Sequence, residues 1–293
     1  MKLGIWLPLV LKTPPHVTEP WEMERDVDDI ATFASIADEA GYDYLFAADH
    51  VALPVELEAT RGNAYWDPFS TLGFVAAHTQ RAQLIPLVLV AAYHHPLAVA
   101  KRMATIDMLS KGRAAIGIGV GSLVQEFAML GLNMKERGRR ADDMLRALIA
   151  SRGERVPTYD GEFWSFRDMI VDPWLRKDMP LWVGGLAPKS VKRAAVMGDV
   201  WSPTRLPIED IGAALRDPEV LDLLAAREKP LEVVYIMSGP APFDALGRPQ
   251  EIRDMLKRLQ DNGMTGYAPE LEHQTREIYA DQLRAMAEIA KEF

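Results

Sequence analysis

The feature that most constrains this chain is the alternation of short apolar runs with longer amphipathic ones. "KLGIWLPL" (2–9), "DYLFAA" (43–48), "AQLIPLVLV" (82–90), "RAAIGIGVGS" (113–122), "MPLWVGG" (179–185), "DVWSP" (199–203), "LEVVYIM" (231–237) and "MTGYAP" (264–269) read as strands. Uninterrupted apolar runs of this length suit strands buried on both faces. Helical patterns follow them at 22–41, 67–80, 96–112, 135–151, 187–197, 207–216, 247–262 and 273–291. Their ends carry start and stop signals: Asp67-Pro68 and Pro96 at starts, Gly41 and Gly112 at stops. Strand-then-helix repetition implies parallel strands joined by right-handed crossovers. About eight such units in 293 residues predict an α/β fold, a closed (β/α)8 TIM barrel, with an open doubly wound sheet as the alternative. Residues 1–293 are expected to form one domain. The stretch 152–180 is an irregular insertion, with a short hairpin around Asp160-Gly161. Pro86 lies inside a strand run, and a proline there lacks a ladder donor, which predicts a bulge.

A barrel places its chemistry where strands end. The informative stretches are therefore Leu9–His16, Asp49-His50, Ala91–His95, Gly119–Ser122, Gly184–Ser190 and Trp201–Arg205. Asp49-His50 closes "YLFAADH"; it is either a polar turn or the floor of a site in which an imidazole exchanges protons near neutral pH. Neighbours on a strand face opposite ways, so both serve one site only if the chain leaves the strand at Asp49.

Several other chemistries are excluded or unsupported. The chain has no cysteine, which removes disulfides, thiolate nucleophiles and Cys-ligated metal. The histidines (16, 50, 78, 94, 95, 273) form no ligand spacing, so no metal site is expected. "GIGVGS" fails the dinucleotide spacing, because Ser122 and Val124 stand where glycine is required. Its glycines instead suit close approach of a ligand or an adjoining backbone. "VGGLAPKS" is a strand, two glycines and a helix start; it is a simple βα turn or a phosphate-holding one, with Lys189 and Ser190 adding a charge and a hydroxyl. A formal net charge of -9 argues against nucleic-acid binding and weakly repels anionic membranes. The apolar N-terminal run is too short for a span and is interrupted by Pro8, so a cytoplasmic protein is expected.

With these pieces in order, the chain resembles the bacterial luciferase-like superfamily, and within it the F420-dependent oxidoreductases. The resemblance is carried over roughly residues 1–205 by "LGIWLP", "ADEAGYDYLFAADH", "DPFSTLGFVAAHTQRAQL", "YHHPLAVAKRMATIDMLSKGRAAIGIGVGS", "EFAMLGLNMKERGRRADDML", "GEFWSF" and "PLWVGGLAPKSVKRAAVMGDVWSP". It implies a (β/α)8 barrel with an insertion and a flavin or deazaflavin at its C-terminal mouth. Coenzyme F420 is the implied cofactor and FMN the alternative. The reaction is then hydride transfer with a small organic substrate, or an FMN-dependent monooxygenation, or the barrel only binds the cofactor. Asp49 and His50 match an acid–histidine pair beside the ring, with His50 handling a proton and Asp49 orienting it or touching the cofactor. A non-prolyl cis peptide is implied in the third strand, near Pro86–Leu87. Gly119, Val120, Gly121 and Ser122 match a segment beside the cofactor tail. Gly184, Gly185, Pro188, Lys189 and Ser190 match the phosphate-holding turn. Members acting on sugar phosphates carry an acid shortly after the fourth-strand glycines. Here "SLVQEF" puts Val124 at that point, so glucose-6-phosphate is not implied, and Glu126 matches a commoner, structural glutamate. Homodimers are usual in the family.

Overall fold

A computed structural model of the chain describes residues 1–9, 11–12, 19–24, 26–62, 64–204, 206–236 and 242–293. His16, Arg205 and Met237, named above, lie outside the described residues.

In chain order the elements are β1 (Lys2–Trp6), β2 (Leu11–Lys12), α1 (Pro20–Met23), α2 (Val27–Ala40), β3 (Tyr44–Ala47), α3 (Glu58–Arg61), β4 (Ala64–Tyr65) and α4 (Pro68–His78). Next come β5 (Gln83–Pro86), β6 (Leu89–Val90), α5 (Pro96–Leu109), β7 (Ile116–Gly119), α6 (Val124–Met129), α7 (Arg137–Ser151), β8 (Tyr159–Asp160) and β9 (Ser165–Phe166). The last part holds β10 (Leu181–Gly184), α8 (Lys189–Met197), β11 (Val200–Ser202), α9 (Ile208–Leu215), α10 (Pro218–Ala225), β12 (Glu232–Ile236), α11 (Pro249–Asp261), β13 (Gly266–Ala268) and α12 (Arg276–Ala290). The hairpin expected at 160–161 is the antiparallel pair β8–β9. The long helix expected from residue 22 instead begins at Val27, where Asp26 caps the amide of Asp28. Helix α10 and the short α3 and α6 had no periodic signal long enough to predict them.

Nine strands run parallel in the order β5-β3-β1-β13-β12-β11-β10-β7-β6. The two end strands, β5 and β6, are halves of one interrupted strand. β5 pairs with β3 and β6 with β7, and a parallel bridge between Leu84 and Ala114 joins the first half to the approach of β7. The ring therefore closes around eight strand positions. Pro86 explains the interruption. The amide of Leu84 donates to Arg113 on the β7 side, and alternation turns residue 86 to that same side, where proline has no N–H to give.

Alternation also sorts the side chains. Tyr44, Phe46, Ile85, Leu87, Trp182, Val234 and Ile236 point into the barrel and fill it. Leu45, Ala47, Leu84, Ile116 and Val183 point outward under the helices. Trp182 stands edge-on to Tyr44 and Phe46, with centroids at 4.8 and 5.7 Å. At the N-terminal ends of the strands, two charged side chains bind the connecting backbone. Asp38 accepts from the amides of Gln80, Arg81 and Ala82, and Arg113 donates to the carbonyls of Ala76, Thr79 and Ala82. These contacts leave the opposite end as the place for a site.

Candidate active site at the barrel mouth

Strand β3 stops at Ala47, two residues before the acid–histidine pair. Asp49 is buried. One of its oxygens accepts from the amide of Val90 at 2.9 Å and lies 2.8 Å from His94 Nε2. His50 points elsewhere: its Nδ1 lies 2.9 Å from Glu126 Oε2. The two neighbours therefore face opposite ways, and each takes its own partner. The expectation that Asp49 orients His50 is corrected here, because Asp49 holds His94 and the loop after β6 instead.

Glu126, on α6, is 1% exposed. Its Oε2 faces His50 Nδ1 and accepts from the Tyr93 hydroxyl at 3.0 Å; its Oε1 accepts from the amides of Val51 at 2.6 Å and Ala52 at 3.3 Å. Burial pushes the carboxyl up, but the hydrogen bond and charge of His50, the Val51 amide and the Tyr93 hydroxyl outweigh it and hold Glu126 below the ordinary glutamate value. Burial first, then the neighbouring Glu126 carboxylate, raises the Tyr93 hydroxyl far above the ordinary tyrosine value, so it stays protonated. The far side of His50 meets the ring of Tyr65 edge-on at 4.5 Å. Glu126 read as structural in the sequence. The signal that marks it is a lone carboxylate between Leu123 and Phe127, both buried, because a buried charge requires partners.

The interrupted strand carries a non-prolyl cis peptide, at Leu87–Val88 rather than at Pro86–Leu87 as the resemblance implied. Val88 packs across the adjoining ends of β7 and β10: a Cβ on Gly119 would lie 2.2 Å from Val88 Cγ2, and one on Gly184 2.5 Å from Val88 Cγ1. The glycines at these two strand ends thus make room for a neighbouring side chain. Pro86 and Leu87 lie just below, with Leu87 buried in the barrel.

Beyond β7, Val120 packs on the core, Gly121 turns at φ 77°, and the exposed Ser122 hydroxyl lies 3.5 Å from the Arg61 guanidinium. Tyr65 donates to the Arg61 carbonyl at 2.6 Å, which ties this loop to the ring beside His50. Beyond β10, Gly185 adopts φ 130° and Pro188 follows a cis peptide. Helix α8 starts at Lys189, whose side chain is exposed. Ser190 is turned inward: it is 3% exposed and accepts from Trp201 Nε1 at 3.0 Å. Its hydroxyl therefore supports the core at this turn. Among the described residues no three His, Asp or Glu side chains gather as a metal site.

The family model of luciferase-like monooxygenases matches residues 1–292. The chain belongs to the luciferase-like monooxygenase family. Membership makes it an oxidoreductase by class. A relative from Beutenbergia cavernae, named F420-dependent glucose-6-phosphate dehydrogenase, is 32% identical over 67% of this chain and 61% of its own length. The match thus spans less than two thirds of that relative. An uncharacterized protein of Mycobacterium tuberculosis is 28% identical over 76% of this chain and 83% of its own. Among solved structures, the monooxygenase RslO1 from Streptomyces bottropensis superposes with a TM-score of 0.77 at 21% identity, covering 98% of both chains. An F420-dependent secondary alcohol dehydrogenase in complex with an F420-acetone adduct does so with a TM-score of 0.73 at 13% identity, covering 97% of this chain and 98% of its own. At these identities the two structures establish the fold.

Proposed function

We propose that this protein is an F420-dependent oxidoreductase that moves a hydride between the deazaflavin and a small organic substrate at the barrel mouth. The observation that carries this reading is the state of His50. Its Nδ1 is anchored on a buried carboxylate, and its Nε2 has no partner among the described residues, in a chain whose relatives are named for F420. The residues present fit such a cofactor. Val88 and the glycines at 119 and 184 give a close-packed apolar floor where the third strand breaks, and His50, just beyond the end of β3, supplies an ionisable group. Gly119 to Ser122, and the turn from Gly184 to Lys189, would hold the tail and its phosphate.

Bound F420 supplies a two-electron carrier that gives or takes a hydride. The chain's own part is positioning and proton handling. His50 gives or takes the proton that balances the hydride at the substrate. The packed floor excludes water from that end of the barrel. Asp49 acts at one remove, fixing His94 and the amide of Val90 so that the broken strand keeps its register. A small-molecule substrate, a single barrel domain, a homodimer and a cytoplasmic setting belong to the same reading. The net charge of -9 supports the exclusion of nucleic acid, and no described helix is long and apolar enough to cross a membrane.

The likeness to RslO1 favours a second reading, an FMN-dependent monooxygenase on the same barrel. Turnover separates the two. Purified protein is mixed with oxidised or reduced F420 and a panel of small alcohols, aldehydes, ketones and unsaturated carbonyls, and the F420 fluorescence is followed without oxygen. Substrate-dependent gain or loss of fluorescence is expected. Activity only with reduced FMN and oxygen contradicts the reading.

A further inference from the structure

We infer that Glu126 is the positioning residue for His50: it fixes the imidazole with its proton on Nδ1 and leaves Nε2 as the atom that exchanges a proton with substrate. The inference rests on the proposed function for the role of His50, but its geometric half stands without it.

The Glu126 carboxylate is held ionised, so it only accepts. Four groups surround it. Val51 N and Ala52 N meet Oε1, while Tyr93 Oη and His50 Nδ1 meet Oε2. The first three are obligate donors in this arrangement, and an imidazole nitrogen 2.9 Å from the same oxygen completes the set only as N–H. The neutral ring therefore carries its hydrogen on Nδ1 and a lone pair on Nε2. The amides of Val51 and Ala52 belong to the loop that follows His50, so one carboxylate fixes both the ring and its backbone.

The consequence is chemical. When substrate is deprotonated, its X–H bond breaks, an Nε2–H bond forms, and the electron pair of X–H stays on the substrate. The ring becomes an imidazolium whose charge faces a carboxylate already in place, which lowers the cost of that state. Proton donation runs the same step backwards. Glu126 remains ionised throughout, as an orienting carboxylate beside a histidine does in hydrolytic triads. The other groups around the ring are the Tyr65 ring edge, the Arg61 guanidinium in the loop that Tyr65 holds, and the Asp49–His94 pair on the opposite side of the chain. Among the described residues Glu126 is the charged group that meets a ring nitrogen, so it sets the tautomer.

The test uses full-length protein with 15N-labelled histidine and no cofactor, with the His50 signals assigned by their loss in His50→Asn. In the unaltered protein above neutral pH, the hydrogen is expected on Nδ1. In Glu126→Gln, one amide oxygen and one NH2 replace two acceptor oxygens, so one pair of donors loses its acceptor. The Nδ1–H form should lose its dominance, and the acid limb of the pH–rate profile with F420 should move to lower pH by about one unit, with KM changed less than about twofold. A hydrogen on Nε2 in the unaltered protein overturns the inference, and needs no variant to fold. An unchanged tautomer and profile in Glu126→Gln also overturns it. Failure of all turnover with F420 counts against the proposed function alone, because the tautomer is read without cofactor.

Discussion

Replacing Gly184 by alanine tests the packing on which the mouth is built. The added Cβ would lie 2.5 Å from Val88 Cγ1, and the next nearest atoms, Val88 Cβ and Cγ2, are at 3.7 and 3.8 Å. The overlap is thus about 1 Å with a single methyl of a stiff, β-branched side chain. Overpacking of this kind costs about 1–3 kcal/mol. For a chain of this size that lowers Tm by roughly 1.5–2 °C per kcal/mol. Val88→Ala alone should cost about 1–2 kcal/mol, from two lost methyl groups. In the double variant the nearest Val88 atom is its Cβ at 3.7 Å, an ordinary contact, so the Gly184→Ala penalty should vanish. The cycle should therefore show a favourable coupling of about 1–3 kcal/mol. Gly119 provides the internal contrast. Its added Cβ still meets Val88 Cβ at 3.1 Å once the methyls are gone, so Val88→Ala should rescue Gly119→Ala only in part. Urea and thermal unfolding of the five variants measure all of this. A Gly184→Ala protein within about 0.5 kcal/mol of the parent, or an equal penalty in both Val88 backgrounds, refutes the reasoning.

Three further outcomes are expected. His50→Ala should lower turnover by about 10²–10⁴-fold, with F420 affinity changed only a few-fold; steady-state kinetics beside a binding titration check this, and unchanged turnover removes His50 from the chemistry. Asp49→Ala leaves the Val90 amide and His94 without their acceptor and should cost about 1–3 kcal/mol in urea unfolding, whereas a neutral result would mean that the broken strand does not depend on Asp49. Glu126 titrates below its unfolded value, so its ionised form stabilises the fold fully above the unfolded glutamate pKa, about 4.3, and that contribution is lost as pH falls through the lower folded value. Below about pH 4.3 the stability difference between the parent and Glu126→Gln should shrink as pH falls, and a difference that grows in that range would contradict the assigned direction.

Much of the barrel was legible because strand burial and helix punctuation are written locally. Asp67-Pro68, Pro96 and Gly41 mark helix ends that the structure places within a residue or two. Pro86 announced the break in the third strand, since a missing donor is visible in sequence. The cis bond lies at Leu87–Val88, one position beyond the expected one. The packing of Val88 over Gly119 and Gly184 was not legible, because those glycines end strands distant from it in sequence. The partners of Asp49 and His50 were hidden for the same reason. Glu126 is separated from His50 by 76 residues and His94 from Asp49 by 45, and adjacency of the pair suggested a link where each side chain takes a distant partner. Ser190 shows the same limit: a helix-start serine reads as a ligand group, and its contact with a core tryptophan eleven residues on was not legible.

The most direct measurement of the central claim is a side-by-side fluorescence titration of the purified protein with F420 and FMN. Saturable binding of F420 is expected, with FMN weaker by at least about tenfold, or 1.4 kcal/mol. Tighter binding of FMN, or no binding of F420 at saturating concentration, would contradict it.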